Sequence, residues 1–267
     1  MNKQTSTILL TGATGGIGQA AAKALAKQGV NLVLQGRNQE RLARLVSELD
    51  TTLGQQHQIV SADLTLAADR QRLIARVNAQ PLTGLINLAG VNQFVLFEQQ
   101  SAQAIEDTLF TNVTATMLLT QGLISKLRLA DKAVIVNVGS ILGAIGHPGY
   151  VTYCTSKFAL RGFSEALARE LADSNIKVKY LAPRTTSTSI NSDAASAMNQ
   201  ALGNHTDSPQ WVASQLLALL QGQGARQNLG WPEKLFVAIN GLLPNVVDKS
   251  INKNLALIKR FLVTQSR

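Results

Sequence analysis

The feature that most constrains the fold of this chain is a regular alternation between short apolar segments and helical patterns. Each apolar segment has four to six residues, which suits a buried strand, and the helical patterns carry apolar residues at intervals of three and four. Strands separated by helices pair in parallel and are covered by helices on both faces. We therefore predict an α/β fold with a doubly wound parallel sheet in three layers, whose strands lie at residues 7–10, 31–34, 58–62, 84–88, 133–138 and 176–181.

A glycine-rich segment, residues 11–18, joins the first predicted strand to the first helix and reads Thr-Gly-Ala-Thr-Gly-Gly-Ile-Gly. Glycines let backbone N–H groups approach a phosphate, and the positive end of the helix dipole attracts its charge. The spacing Gly-x-x-x-Gly-x-Gly differs from the general dinucleotide fingerprint, and a plain turn is the alternative. The position between strand and helix favours a pyrophosphate site formed by Gly12, Thr14, Gly15, Gly16, Ile17 and Gly18.

Arg37 follows the second predicted strand, and no acidic residue comes before Glu40. Dinucleotide-binding folds recognise the adenine ribose at this point, where an acid binds the free 2′-hydroxyl of NAD. A guanidinium suits a 2′-phosphate instead. We therefore expect NADP(H) to be preferred to NAD(H), although an ordinary surface arginine at a helix start would look the same in the sequence.

The ends of the third and fourth predicted strands supply further candidate contacts to a dinucleotide. Asp63 and Leu64 follow the third strand. Asp63 would accept a hydrogen bond from the adenine amino group, or it would cap the next helix. Asn87, Ala89 and Gly90 close the fourth strand, where small residues leave room for a cofactor against the backbone. We expect these five residues to belong to the cofactor site.

Three polar side chains follow the fifth predicted strand. Ser140 comes just after it, and Tyr153 and Lys157 are four residues apart in a helical pattern, which places them on one face. A hydroxyl, a phenol and an ammonium then meet where open α/β sheets bind their ligands. Asn112, on a helix predicted over residues 102–127, is a fourth candidate because a buried amide needs hydrogen-bond partners.

With these motifs in place, about residues 6–190 of the chain resemble the short-chain dehydrogenase/reductase family, which has a Rossmann-like fold. The glycine segment looks like the family's cofactor motif, and Asn87-x-Ala89-Gly90 resembles its motif at the fourth strand. The resemblance implies that Tyr153 and Lys157 also contact the cofactor. Four residues match the family's catalytic tetrad, including its step of thirteen residues from serine to tyrosine: Asn112, Ser140, Tyr153 and Lys157.

The resemblance also implies a mechanism. Hydride passes between the nicotinamide and a substrate carbonyl, and Tyr153 gives or takes the proton. Ser140 is expected to donate to the carbonyl oxygen, Lys157 to hydrogen-bond the nicotinamide ribose, and Asn112 to support a water relay. A tyrosine has an ordinary pKa near 10. We expect the ammonium of Lys157, one helical turn away, to lower the pKa of Tyr153.

The chain departs from the family pattern at three places. Leu88 stands where a second asparagine is usual at the fourth strand. Arg184 stands where the family usually has glycine after Pro183, and the backbone beside the nicotinamide amide is expected to differ. Residues 228–232 lack the usual glycine-rich end of a seventh strand. Thr188 keeps the position of a family threonine, and we expect Pro183 and Thr188 to contact the cofactor.

Cysteine and histidine usage narrows the classes of function. Cys154 is the one cysteine, so it cannot form an intrachain disulfide, and we interpret it as a packing residue. The sequence has no apolar run of about 18 residues and no recognisable signal peptide, so we expect a cytoplasmic protein. His57, His147 and His205 lack metal-ligand spacing, and no metal is expected. His147 either touches substrate or lies on a surface loop.

The net charge of +9 is concentrated towards the C-terminus. From Arg226 onwards, seven basic residues face two acidic ones. Such a tail suits nucleic acid, anionic lipid or an acidic partner, or it is a solvated face. No nucleic-acid signature accompanies it, so no nucleic-acid partner is expected. Two amphipathic segments, residues 233–243 and 251–263, would cap a hydrophobic pocket, pack on the body or on a second subunit, or lie on a membrane surface.

We expect one NADP-binding catalytic domain over residues 1–230, with a substrate lid at 184–208 and a basic helical extension at 231–267. The leading prediction is an NADP(H)-dependent carbonyl/alcohol oxidoreductase for an apolar or lipid-like substrate. It is expected to be a homodimer or homotetramer, with peripheral membrane contact through the extension. The alternatives are a 3-oxoacyl-thioester reductase and a non-catalytic dinucleotide-binding regulatory protein. The complete tetrad argues against the last, since a binding protein has no need of Tyr153.

Overall fold

The core of the structure is a sheet of seven parallel strands in the order β3-β2-β1-β4-β5-β6-β7. The computed structural model describes residues 6–263. The strand order runs in one direction from β1 and in the other from β4, which confirms the predicted doubly wound α/β fold. The strands are β1 (Thr7–Leu10), β2 (Asn31–Gly36), β3 (His57–Ser61), β4 (Gly84–Asn87), β5 (Ala133–Val138), β6 (Ile176–Ala182) and β7 (Arg226–Asn228).

Helices cover both faces of the sheet. Because side chains alternate along a strand, Ile8 and Leu10 pack into the core on one face and Leu9 into the core on the other. Within residues 6–263, no helix is both long enough and apolar enough to cross a bilayer. The helices are α1 (Gly16–Ala26), α2 (Gln39–Ser47), α3 (Ala67–Asn78), α4 (Ala102–Leu109), α5 (Ala115–Leu127), α6 (Val151–Glu170), α7 (Asp193–Ala201), α8 (Pro209–Gln221), α9 (Glu233–Leu242), α10 (Pro244–Lys253) and α11 (Leu255–Val263).

The seventh strand could not be predicted from apolar periodicity. β7 has three residues, with the sequence Arg-Gln-Asn, and none of them is buried. It exists because its backbone pairs with β6, where Tyr180 is in register with Arg226. This edge strand therefore depends on β6 and not on its own sequence pattern.

The single helix predicted over residues 102–127 is wrong in one respect. A π-helical turn, Phe110–Thr114, separates α4 from α5. Such a turn adds a residue and rotates the helix that follows, so a regular helical repeat read from the sequence loses its phase. Asn112 lies in this turn and is completely buried, whereas Met117 on α5 is exposed.

The segment after β7 forms three helices that meet the body in different ways. The predicted helix over residues 251–263 is divided at Asn254 into α10 and α11. Ile258 and Leu262 of α11 are buried in a cluster with Tyr150. By contrast, α9 has no buried residue. Of the placements that the sequence leaves open, packing on the body therefore holds for α11.

Candidate functional site

A cavity of about 560 Å³ lies at the carboxyl ends of the central strands. A volume of this size suits a small-molecule ligand. Three predicted site residues, Gly18, Asn87 and Asn112, do not line it. The residues that do line it include Gly12, Thr14, Gly15, Gly16, Ile17, Arg37, Asp63, Leu64, Ala89, Gly90, Ser140, Tyr153, Lys157, Pro183 and Thr188.

The glycine segment forms one end of the cavity and has no room for side chains at two positions. Gly12 has a φ of +65°, and a Cβ atom there would lie 2.8 Å from the backbone nitrogen of Ala89. A Cβ atom at Gly18 would collide with the carbonyl oxygen of Gly12. Gly18 therefore lets α1 pack against the turn and does not face a ligand. The turn leads directly into the N-terminus of α1, so it fits a pyrophosphate.

Two side chains that the sequence analysis missed hold this segment in place. The Oγ1 atom of Thr11 accepts the backbone N–H of Ala89 at 3.1 Å. The buried Gln35 on β2 accepts the N–H of Gly12 at 3.2 Å and donates to the carbonyl oxygen of Ala62 at 2.8 Å. Gln35 is a polar residue next to the apolar run of β2, and this position in the sequence could have indicated its role. These bonds connect the ends of β1, β2 and β4.

Two exposed guanidinium groups line the cavity beyond β2. Arg37 follows the strand, and Arg41 lies in the first turn of α2, where Asn38 accepts its backbone N–H at 2.8 Å. None of the ion pairs among residues 6–263 involves either arginine. Two unpaired guanidiniums fit a phosphate on the adenine ribose. Arg41 was missed, although its spacing of four residues from Arg37 on a helix start could have indicated it.

Asp63 and Leu64 line the cavity at the end of β3. The Oδ1 atom of Asp63 accepts both the N–H and the O–H of Thr65, at 2.8 and 2.7 Å. α3 begins later, and its N-cap residue is Leu66. The alternative that Asp63 caps the next helix is therefore wrong, because its carboxylate closes a local turn on Thr65 instead.

The end of β4 contains residues with two different orientations. Ala89 and Gly90 line the cavity, whereas the side chain of Asn87 is buried beneath it. The Asn87 amide donates to Thr120 at 3.0 Å and to Asn137 at 2.9 Å. Asn87 therefore connects β4 to β5 and α5, and it does not face the cavity as predicted.

Asn112 is also a buried connector rather than a cavity residue. Its Oδ1 atom accepts the N–H of Val91 at 2.8 Å, and its Nδ2 atom donates to the Val91 carbonyl at 2.9 Å and to Ser156 at 3.0 Å. These bonds hold the segment after β4 against α6. The structure thus gives Asn112 a positioning role beside the site.

Ser140, Tyr153 and Lys157 meet at the end of β5. The Ser140 oxygen accepts the N–H of Leu142 at 3.1 Å, and its hydroxyl lies beside the phenol of Tyr153 in the cavity wall. The ammonium of Lys157 donates to the carbonyl of Val138 at 3.3 Å and lies 5.5 Å from the centre of the Tyr153 ring. A hydroxyl pair with a cation behind it therefore faces the cavity.

Burial has the largest effect on the pKa values of Tyr153 and Lys157. It raises the pKa of Tyr153, and the neighbouring hydroxyl of Ser140 works in the opposite direction without overcoming it. Burial also lowers the pKa of Lys157 to about 8. The expectation that Lys157 lowers the pKa of Tyr153 is therefore wrong for the protein alone, because desolvation of the phenolate is the larger effect. The phenol is protonated at neutral pH.

Arg184 joins three separate segments of the chain. Its guanidinium donates two hydrogen bonds to Asp207, at 2.9 and 3.0 Å, and one each to Glu233 and the Trp231 carbonyl, both at 2.8 Å. A Cβ atom at Gly230 would lie 2.6 Å from this side chain. The hydrogen bonds to Asp207 raise the pKa of Arg184. The residue that departs from the family pattern thus fastens residues 184–208 to the start of α9.

Pro183 and Thr188 place the same segment over the cavity. The Pro183 carbonyl accepts the N–H of Ile141 at 2.9 Å, which ties the end of β6 to the turn after Ser140. A Cβ atom at Gly16 would lie 2.6 Å from Cγ2 of Thr188. Thr188 therefore lies directly on the glycine segment, so a ligand would have to share this narrow space.

His147 and Tyr150 also line the cavity, next to Tyr153. Their rings are 5.7 Å apart, and the rings of Tyr150 and Tyr153 are 6.2 Å apart. Burial lowers the pKa of His147, so its imidazole is neutral at pH 7. Of the two placements considered for His147, contact with the cavity holds. Tyr150 was missed because the residue before a helix gives no periodic signal.

Comparison with known proteins adds to this geometry. The profile of the short chain dehydrogenase family matches residues 6–199. "Carbonyl reductase family member 4" of Danio rerio is 32% identical over 215 residues, covering 79% of this chain and 89% of that protein. The "3-oxoacyl-[acyl-carrier-protein] reductase FabG" of Aquifex aeolicus is 32% identical over 182 residues, covering 67% of this chain and 73% of that protein. A solved short-chain dehydrogenase from Sphingobium yanoikuyae in complex with NADPH has a TM-score of 0.77 and 27% identity, covering 91% of this chain and 95% of that chain.

Proposed function

Because the chain belongs to the short-chain dehydrogenase family, we propose that it is an NADP(H)-dependent oxidoreductase that interconverts a carbonyl group and an alcohol. The observation that carries this proposal is a single cavity lined by the Ser140–Tyr153 pair, the glycine segment, Arg37 and Arg41. A proton donor thus shares a cavity with features that fit a phosphorylated dinucleotide. Nicotinamide dinucleotide binding is a property of the family, and the two unpaired guanidiniums support the choice of NADP.

The chain's own residues handle the proton. When bound, the nicotinamide supplies hydride to the carbonyl carbon or accepts it from the alcohol. In reduction, Tyr153 donates its phenol proton to the substrate oxygen, and Ser140 donates a hydrogen bond that orients the same oxygen. Burial keeps Tyr153 protonated, which suits this direction. Lys157 then supplies positive charge beside the phenolate that remains.

The substrate end of the cavity favours an apolar carbonyl compound. Its lining includes apolar side chains from four segments of the chain: Val91, Leu142, Ile190 and Met198. A 3-oxoacyl thioester is the second candidate substrate, since the Aquifex aeolicus relative carries that name. A panel of short ketones, steroids and long 3-oxoacyl thioesters distinguishes the two by relative kcat/KM.

Replacing Tyr153 by phenylalanine tests the mechanism. We expect Tyr153→Phe to lower kcat/KM for carbonyl reduction by about 10²–10⁴-fold, because the general acid is lost. NADPH oxidation across the substrate panel measures this effect. Tyr150→Phe is the matched control and is expected to stay within a few-fold of wild type. Equal activity of wild type and Tyr153→Phe would refute the mechanism, and NADPH binding without turnover in every assay would favour the regulatory alternative.

Replacing Arg37 and Arg41 by alanine tests the cofactor assignment. Each change is expected to raise the Kd of NADPH by about tenfold or more, because a charge-assisted bond to the 2′-phosphate is lost. The Kd of NADH should change little. Arg44→Ala, on the same helix but away from the cavity, is the control. Fluorescence titration measures both constants, and an unchanged ratio of the two would contradict the role of these arginines.

We further propose that the protein self-associates as a homodimer or homotetramer in the cytoplasm. Met117, Leu118 and Phe158 form exposed apolar surface on α5 and α6. Apolar side chains of this size on neighbouring helices support a subunit interface. The single cysteine is buried among apolar residues, which agrees with a reducing compartment.

The domain assignment is likewise a proposal. Residues 1–230 would form the catalytic unit and 231–267 the extension, with their outer ends beyond the described residues 6–263. The contacts of Thr188 with Gly16, and of Arg184 with Asp207 and Glu233, support a lid at 184–208. Because α9 is bound to this lid, the extension is expected to affect substrate binding.

A further inference from the structure

One face of α9 carries an exposed apolar stripe. Leu235, Ala238 and Leu242 follow one another at intervals of three and four residues, which places them on the same side of the helix, and Trp231 lies just before the helix begins at Glu233. Trp231 is 66% exposed, Leu235 48% and Leu242 81%. Leu243 and Val246, at the turn into α10 and in its first turn, are also exposed. We refer to Trp231, Leu235, Leu242, Leu243 and Val246 as the apolar ridge.

The opposite face of α9 is fixed to the body, so the ridge cannot turn inward. Glu233 pairs with Arg184 at 2.8 Å, and Asn240 donates to the carbonyl of Ala144 at 2.8 Å. Val237 packs against the cluster around Ile141. The helix is therefore held by its polar and apolar contacts on one side, while the side chains of Leu235 and Leu242 face solvent on the other. A ridge held outward in this way is a candidate contact surface.

Basic residues flank the ridge. Lys234 lies 5.9 Å from the ring of Trp231, and Lys249 and Lys253 follow Val246 on the same side of α10. None of the ion pairs among residues 6–263 involves these three lysines. Two further cations, Lys259 and Arg260, are exposed on α11, and the acidic residues of the three helices are Glu233 and Asp248. Glu233 faces the body, where it pairs with Arg184.

We propose that the apolar ridge and its lysines form a docking surface for an anionic lipid bilayer. Tryptophan and leucine side chains insert at the headgroup boundary, and lysines reach the lipid phosphates. A second copy of this chain is a poorer partner, because a two-fold contact would bring the same lysines together. Glu233, at the start of α9, also lines the cavity. Docking of α9 on a bilayer would therefore bring the mouth of the cavity close to the lipid. The inference concerns binding and does not rest on the proposed function.

Vesicle binding of the full chain tests this inference. In a Trp211→Phe background, Trp231 is the remaining tryptophan and reports directly on the ridge. With vesicles containing phosphatidylglycerol we expect a blue shift of its emission and co-sedimentation, both reduced by high salt. Vesicles of phosphatidylcholine alone should bind much less. Absence of binding to the anionic vesicles would overturn the proposal.

Matched variants assign the effect to the ridge. Leu242→Glu with Leu243→Glu should abolish binding, and Lys234→Gln with Lys249→Gln and Lys253→Gln should weaken it on the order of a hundredfold. Leu129→Glu changes an equally exposed leucine at the opposite end of the sheet and should bind as wild type. Unchanged melting temperatures show that each variant is folded.

Light scattering of the same variants separates lipid from a second copy. The ridge variant should keep the mass of the wild type, and dissociation of an oligomer by Leu242→Glu with Leu243→Glu would overturn the proposal in favour of a protein interface. Equal vesicle binding by wild type and the ridge variant would also overturn it. Reduction of a water-soluble carbonyl should be unaffected in the ridge variant, so failure of the inference is distinguishable from failure of the proposed oxidoreductase activity.

Discussion

Lys157 is a cation in a place that disfavours charge. Its side chain is buried, and its ammonium donates to a single backbone carbonyl, that of Val138. Burial therefore destabilises the charged form of the Lys157 side chain in the folded state, and its pKa falls to about 8 from the ordinary 10.5. A buried charge that lowers the stability of the folded protein is expected to serve the reaction rather than stability.

Replacing Lys157 by methionine should separate these two roles. We expect Lys157→Met to raise the free energy of unfolding at pH 7 by about 3 kcal/mol, the equivalent of the pKa difference, while abolishing turnover. Below pH 8 the lysine is charged in both states, so wild type carries the full penalty. Between pH 8 and 10.5 the folded protein loses its proton first, and the advantage of methionine should disappear.

Urea unfolding at several pH values measures this difference. Lys177→Met, at an exposed position on β6, is the control and should change stability little at any pH. If Lys157→Met raised the free energy of unfolding equally at every pH, packing and not the buried charge would be responsible.

The residues of the site differ in how far the sequence could place them. Tyr153 and Lys157 reach the cavity as predicted, because their position depends on local helical spacing. Asn87 and Asn112 were also recognised as important, but their side chains turn to interior partners that are distant in sequence. Gln35 was missed for the same reason, since its hydrogen bonds join strands that the sequence does not show as neighbours.

At the scale of elements, the lid and the last helices depend on one arginine. Arg184 and Asp207 have side chains that are 10% and 5% exposed, so their pairing is shielded from solvent. The contact spans segments 23 and 49 residues apart, which explains why the sequence could indicate the unusual arginine but not its partners. Similarly, the π turn before α5 and the break at Asn254 leave no mark on apolar periodicity.

Removing Arg184 should loosen the lid. We expect Arg184→Met to lower the free energy of unfolding by about 3 kcal/mol, because the buried carboxylate of Asp207 loses its arginine partner. Cleavage by protease within residues 184–208 should become faster. Arg161→Met, which removes one of the three arginine partners of Glu165, is the control and should cost less than about 1 kcal/mol.

The double variant decides whether the buried charge is the cause. Adding Asp207→Asn to Arg184→Met should recover part of the lost stability, since the buried carboxylate is gone. No recovery would mean that the arginine acts through packing alone.

At the scale of the whole molecule, the fold was predictable because alternation of strands and helices decides the sheet order with few alternatives. What the sequence could not show was which apolar side chains stay outside. Phe158 and Met117 belong to helices that also carry buried apolar residues, and only the folded chain reveals these two as surface. This surface and the apolar ridge belong to different helices, so self-association and lipid binding need not compete.

Phe158→Glu tests the proposed subunit interface. A charge at the centre of an apolar contact should raise the dimer dissociation constant by about a hundredfold or more. Size-exclusion chromatography with light scattering reports the mass at several concentrations. Leu53→Glu, at an exposed apolar position elsewhere, is the control and should leave the mass unchanged. An equal mass for Phe158→Glu and wild type would place the interface on another surface.

The buried position of Cys154 has a practical consequence. The thiol lies under the cluster that includes Ile258 and Leu262 of α11, and burial raises its pKa to about 11. A thiol reagent reacts with the thiolate, so at neutral pH it must wait for this cover to lift. The rate of labelling of this native cysteine therefore reports how often the C-terminal helices α10 and α11 move away from α6, without any engineered probe.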